Sequence, residues 1–196
     1  MGAELRTSSE PAALGHRVTR FAVFIVGWDV VLEIVEVETD RQVQTVRLLF
    51  RKYFSFLRQA FAEYAQQKWF GPAFEKLEQE ADALPGQYAP PNGCLLLAQY
   101  NSNSAGCVAL CPGPNGACSM KRLFVRSPFR RRGIGRRLSE SVIEQARSCG
   151  YARMLIHTYR LMEPAISLYR SLGFSQTAPF EEDSLDGVLF LQLELT

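Results

Sequence analysis

The chain has 196 residues, 47% apolar and 21% charged, the balance of an ordinary globular protein with room for one well-buried domain. Its formal net charge is +2, so no global field draws it to nucleic acid or to a membrane surface. The longest uncharged apolar stretch, Phe21 to Trp28, is far too short to span a bilayer and has no small-residue cleavage site after it, so a cytoplasmic protein is expected.

Residues 1–20 are polar and without period and are expected to form a mobile tail, with a single domain over residues 21–196. Phe21 to Trp28 reads as a buried strand extending toward Val37, and Val30 to Val37 alternates well enough for a first strand. Thr39 or Asp40 can cap a helix. Val43, Val46, Phe50, Tyr53 or Phe54, Leu57 and Phe61 then recur at three- and four-residue steps and predict a long amphipathic helix. A second helix is predicted after Pro72, with Phe74, Leu77, Ala81 and Leu84 on one face and Pro85-Gly86 as its stop.

Three short β-runs follow, Cys94–Tyr100, Gly106–Cys111 and Ala117–Val125, separated by turn-rich connectors, which predicts an antiparallel meander. Leu138, Val142, Ile143 and Ala146 mark a third helix ending at Cys149-Gly150. Met154–Ile156 reads as a buried strand, and Pro164 opens a fourth helix that Gly173 ends. Val188 to Leu195 closes the chain as a strand. The five cysteines (94, 107, 111, 118 and 149) form no C-x-x-C pair and several sit in apolar runs, so buried free thiols are expected. With two histidines, His16 and His157, no zinc site and no other metal is expected.

The segment Arg126 to Leu138, R-S-P-F-R-R-R-G-I-G-R-R-L, carries the most functional information. It follows the apolar run Leu123-Phe124-Val125 and precedes a helical pattern. A strand, a Gly-containing turn and a helix start present unpaired backbone N–H groups to an anion. Arginines add charge-assisted hydrogen bonds. A phosphate or pyrophosphate is the expected ligand; a solvated basic helix start or a nucleic-acid patch is the alternative reading of the arginines, although neither needs glycines there.

The pattern V-x-x-x-x-R-x-x-G-x-G (Val125, Arg130, Gly133, Gly135) is followed about thirty residues later by A-x-x-L-Y-x-x-x-G-F (Ala165, Leu168, Tyr169, Gly173, Phe174). Together these resemble the GNAT superfamily, the Gcn5-related N-acetyltransferases. L-P-G-x-Y-A-P-P-x-G-x-L-L-L-A at Leu84 to Ala98 and M-K-R-L-[YF]-V at Met120 to Val125 further resemble small bacterial-type GNAT proteins of undefined substrate. The resemblance implies an α/β fold: one mixed, mostly antiparallel sheet of about six or seven strands, with splayed central parallel strands and about four flanking helices. It also implies acetyl-coenzyme A as cosubstrate, bound by Leu123, Phe124, Val125, Arg130, Arg131, Arg132, Gly133, Ile134, Gly135 and Arg136. It places Tyr169 beside the coenzyme sulfur as general acid, and a phenol with pKa near ~10 is well matched to a thiolate near ~8.5.

Two positions depart from the resembled pattern. Ser119 stands where the relatives carry Glu, and His157 where they carry Asp. Ser119 is a poor base; His157, with an ordinary pKa near ~6.5, can accept the amine proton if it faces the cleft. The resemblance assigns the acceptor pocket to the first two helices, the loop before the following strand and the C-terminal hairpin. That points to Tyr53, Phe54, Trp69, Tyr88 and Arg122, with Phe180 closing it. Arg122, a charge inside an apolar strand, is expected to face the cleft or a partner and there to meet a substrate carboxylate. The expectation is therefore acetyl transfer to the primary amine of an amino acid-like small molecule, in a ternary complex, with no nucleic acid or membrane partner. Loss of the acid at Ser119 keeps open a catalytically weak or inactive acyl-coenzyme A-binding module. The resemblance also allows a homodimer through the C-terminal strand.

Overall fold

The computed structural model describes residues 21–25, 30–181 and 187–195, and the side chains of 31–181 and 187–195. The expected tail over residues 1–20 lies outside them. One sheet of eight strands runs in the order β1-β2-β3-β4-β5-β6-β8-β7. The strands are β1 (Phe21–Ile25), β2 (Val30–Glu36), β3 (Cys94–Tyr100), β4 (Asn103–Pro112), β5 (Cys118–Val125), β6 (Arg153–Tyr159), β7 (Ser175–Gln176) and β8 (Val188–Glu194). Among the described residues four α-helices accompany them: α1 (Asp40–Ala60), α2 (Phe70–Asp82), α3 (Ile134–Ser148) and α4 (Glu163–Ser171).

The strand expected to run from Phe21 toward Val37 is two strands. Phe21 lies opposite Ile34 and Ile25 opposite Val30 in an antiparallel pair, so the chain reverses between them. The meander β2-β3-β4-β5 is antiparallel as expected. The strand β8 is not a sheet edge throughout, because Gln192 and Leu191 pair with Ser175 and Gln176 of β7.

Local signals explain the helices. The Thr39 hydroxyl accepts from the Gln42 amide at 3.3 Å while the Gln42 side chain accepts from the Thr39 amide at 3.0 Å. This reciprocal cap contributes about 1 kcal/mol. Helix α2 starts at Phe70 rather than after Pro72, since first-turn amides have no partner inside a helix and proline costs nothing there.

Helices α3 and α4 cover one face of the sheet. Ile134, Leu138, Val142 and Tyr169 pack there with Cys118, Met120, Met154 and Ile156. Helix α1 covers the other, where Val46, Phe50 and Phe54 meet Leu95, Leu97, Cys107, Ala109 and Phe124. Helix α2 adds Phe70 and Phe74 to Leu57 and Phe61 in a satellite cluster.

The site-forming feature is an interruption. Strands β5 and β6 pair in parallel only at Cys118↔Met154 and Ser119↔Leu155. Beyond those positions they part, and β6 continues against β8 alone. The same stretch of β5 is distorted on its other edge. A bulge sets Arg122 and Leu123 opposite Val108 alone, with Arg122 at φ 57°, a left-handed conformation that non-glycine residues seldom adopt.

Candidate active site

At the open end of the gap, β5 runs into a short turn and then α3. Gly133 is the N-cap of α3 at φ 75°, and no side chain caps the helix. Its first amides are therefore left for an outside acceptor, at the positive end of a 15-residue helix dipole. Arginines stand around this opening in distinct ways. Arg130 donates through Nε to the Val125 carbonyl at 3.0 Å and lies over the Phe56 ring. Arg132 donates to the Tyr100 hydroxyl at 3.0 Å. Arg136 donates to the Ser171 hydroxyl at 2.6 Å, tying α3 to the end of α4. Arg131 and Arg132 are exposed. Gly135 sits one residue into the helix, against Val125 and Leu168, and Ile134 is buried beneath it.

Tyr169 projects from α4 toward the gap. It is 7% exposed, and its ring packs against Phe174. Its hydroxyl has no hydrogen-bond partner among the described residues, yet it is not among the polar atoms sealed from solvent. Burial pushes its phenol above the ordinary tyrosine value, and the nearby Tyr53 pushes it further. Tyr53 belongs to α1, across the sheet.

On the α1 side of the gap the charges are paired. The Arg122 guanidinium holds Glu80 of α2 bidentately, Nε to Oε1 at 2.7 Å and Nη2 to Oε2 at 2.5 Å. The Tyr88 hydroxyl donates to the same Oε1 at 2.7 Å, and the guanidinium lies over the Phe54 ring. Burial would raise the Glu80 carboxyl, but the hydrogen bond and charge of Arg122 outweigh it and hold the group below the usual carboxylate range. Tyr88 is 1% exposed, and burial pushes its phenol up. Tyr53 is half-buried with its ring 5.6 Å from that of Phe124.

Facing this network across the gap stands β6. Met154 and Ile156 point into the α3 side of the core, so Leu155, His157 and Tyr159 point to the α1 side. His157 Nδ1 lies 2.6 Å from Glu181 Oε1, and its ring contacts Tyr159 and Phe190. Phe180 packs edge-on against Phe190 at 4.9 Å. By the same alternation Ser119, between Cys118 and Met120 of the α3-side core, faces the α1 side. It is buried, 7% exposed, and aligned with Leu155, where the strands are last joined. Trp69 packs with Tyr64 and Phe70 at the far end of α1 and α2.

This arrangement has known relatives. The sequence model of the acetyltransferase (GNAT) family matches residues 54–174, more than half of the chain. The chain belongs to the GNAT acetyltransferase family. An uncharacterized N-acetyltransferase of Schizosaccharomyces pombe is 34% identical over 136 residues, 68% of this chain and 83% of that relative. An acetyltransferase of the GNAT family from Staphylococcus aureus superposes with TM-score 0.62 at 19% identity, over 84% of this chain and 99% of its own. The N-acetyltransferase PaiA of Thermoplasma acidophilum, crystallised in complex with coenzyme A, gives TM-score 0.59 at 16% identity over 83% and 98%. The enzyme class follows: an acetyl-coenzyme A-dependent N-acetyltransferase.

Within this GNAT fold the expected coenzyme residues lie together at the β5–α3 junction, and Tyr53, Arg122, Ser119 and His157 stand on the opposite side of the gap; Tyr88, expected to contact the acceptor, is instead sealed in the core with its hydroxyl on Glu80. Two residues of this site escaped the sequence reading: Glu80 and Glu181. The signal for Glu80 was Arg122 itself, a charge in an apolar strand that demands a counter-charge. The cysteines are free. Burial pushes Cys118 up to about 12 and raises the other four thiols as well, so they stay protonated near neutrality and are poor nucleophiles. Among the described residues no three His, Cys, Asp or Glu side chains gather as a metal ion requires, and no helix is long and apolar enough to cross a membrane.

Proposed function

We propose that this enzyme transfers an acetyl group from acetyl-coenzyme A directly to the primary amine of a small, amino acid-like acceptor. The observation that carries the reading is the gap between β5 and β6. A buried phenol without a hydrogen-bond partner among the described residues stands at its side, and an uncapped helix start surrounded by arginines stands at its mouth. The fit to the cosubstrate is chemical at each point. The amides of Ile134, Gly135 and Arg136 with Arg131 and Arg132 suit a pyrophosphate. The edge of β5 from Leu123 to Val125, unpaired with β6, suits the amide groups of the pantetheine arm. When bound, acetyl-coenzyme A supplies an activated acetyl thioester whose sulfur must leave as a thiol.

The residues then divide the work. Tyr169, kept protonated by burial, donates to the departing sulfur. His157, oriented by Glu181, accepts the proton that the amine sheds; a primary amine with pKa near ~10 cannot attack until it loses one. Ser119 can pass that proton by hydrogen bond but cannot hold it. Tyr53 forms the acceptor-side wall, and the buried Tyr88 holds Glu80 in place behind it. The non-catalytic acyl-coenzyme A module, suggested by Ser119, is the less economical reading once His157 and Glu181 are seen as a pair.

An acceptor screen reading coenzyme A release, over amino acids, polyamines, aminoglycosides and peptide N-termini, tests the reaction. In the same assay Tyr169→Phe is expected to lower kcat about 100-fold while coenzyme A affinity, measured by calorimetry, changes less than about 3-fold. Unchanged turnover removes Tyr169 from the mechanism. Stabilisation by acetyl-coenzyme A with no release for any acceptor favours the binding module.

A further inference from the structure

The β5 bulge has a consequence for the acceptor. Because two residues oppose one at Val108, the strand presents consecutive cations, Lys121 and Arg122, to the same side of the sheet. Lys121 is aligned with Ala109, a member of the α1-side core, and its charge acts on Glu80 and on Cys111. Arg122 is fully used: its guanidinium is neutralised by Glu80, which also accepts from Tyr88. A carboxylate approaching Arg122 would have to displace a bidentate internal partner. Lys121 differs. It is half-buried and has neither a hydrogen bond nor an ion pair among the described residues. Lys121, Arg122 and Glu80 together carry one net positive charge on this lip, and Glu181, whose charge reaches Cys111 as that of Lys121 does, forms no ion pair with Lys121.

Across the gap from it, on the same face of the sheet, stand His157 and Glu181, 2.6 Å apart. The two strands that carry these groups are last joined at Ser119 and Leu155, two residues before Lys121 and His157 respectively. A cation on one lip and a carboxylate-oriented imidazole on the other are complementary to a small zwitterion.

We infer that Lys121, not Arg122, receives an acid group of the acceptor, so that the acceptor is an amine bearing a carboxylate. The acid sits at Lys121 and the amine is turned toward His157 and Glu181. The inference rests on the reading of His157 as the amine-side base. Arg122 is then a positioning residue, anchored by Glu80 so that the bulge directs Lys121 into the cleft.

The test is equilibrium binding by calorimetry to the full chain saturated with coenzyme A, comparing amino acids with their primary amides. The acids are expected to bind about 10-fold tighter or more, as one charge-assisted hydrogen bond allows. Lys121→Met is expected to erase that preference while coenzyme A affinity stays within about 2-fold, and Lys121→Arg to retain much of it. Equal binding of acids and amides overturns the inference, as does an acid preference that survives in Lys121→Met or an absence of binding in both series. Because the readout is binding, a Lys121-dependent acid preference without coenzyme A release sustains this inference while overturning acetyl transfer.

Discussion

At the mouth of the gap, cations stand in solvent around backbone groups that nothing caps; on the α1 side the arginine is half-buried, doubly hydrogen-bonded and neutralised. Arg131 and Arg132 are exposed beside the uncapped start of α3, whereas the Arg122 and Glu80 side chains are 20% and 15% exposed and share two hydrogen bonds. The difference teaches what each end is built for. Exposed cations meet a highly charged ligand at little desolvation cost, and their strength is set by the ligand's charge. A buried pair has already met its desolvation cost within the fold. It binds nothing further, but it fixes geometry: here a left-handed residue in mid-strand and the direction of its neighbour Lys121.

The largest expected effect comes from breaking the buried pair. Glu80→Gln leaves Arg122 charged without a counter-charge, which is expected to cost on the order of 3 kcal/mol and lower the Tm by roughly 6–12 °C. The pH dependence has a definite sign. The Glu80 carboxyl is held below its ordinary value, so its contribution is present above about pH 4.3 and is lost as the pH falls through the folded-state value. Urea denaturation should therefore show a large gap between wild type and variant at pH 7 that narrows below about pH 4. A gap that is constant with pH would mean that the pair is not what stabilises this side.

The same contrast governs how much could be read from residues alone. The coenzyme end is contiguous: Leu123 to Arg136 is a strand, a turn and a helix start in one stretch, and its chemistry resides in backbone that glycine and the helix period reveal. Tyr169 follows about thirty residues later in a helix with its own apolar face. The acceptor end is assembled from α2, β5, β6 and the segment after β7. Arg122 and Glu80 are 42 residues apart, and His157 and Glu181 are 24 apart. Arg122 announced the need for an acid, but α2 offers Glu78, Glu80 and Asp82. Helix phase chooses among them. Glu78 and Asp82 lie four residues apart on the face toward Arg51, which leaves Glu80 to point the other way, into the sheet. The two-residue β7 is too short for any alternation to disclose, and it places Phe180 and Glu181 near His157.

A middle-sized effect is expected at the mouth. Gly133 holds φ 75° as N-cap of α3, and Gly133→Ala forces an L-residue into that conformation at about 1 kcal/mol. The first turn of α3 should shift with it, so coenzyme A affinity by calorimetry is expected to fall several-fold alongside a Tm loss of roughly 2–4 °C. Here fold and ligand binding weaken together because one backbone conformation serves both.

Gly135 separates them, with the smallest expected change in stability. A Cβ at this position would meet Leu168 Cδ2 at 3.6 Å and Val125 Cγ2 at 3.8 Å, both ordinary van der Waals contacts. Nothing in the protein therefore demands glycine, and inside a helix glycine is destabilising relative to alanine by about 0.5–1 kcal/mol. Gly135→Ala is expected to leave the Tm unchanged or raise it slightly. If the glycine is there to let a pyrophosphate approach the α3 amides, the same substitution should weaken coenzyme A binding about 10-fold, because the added methyl stands in the ligand's path and not in the protein's. A variant that is more stable and binds coenzyme A as before would show that the open helix start, for all its arginines, is not where the phosphates lie.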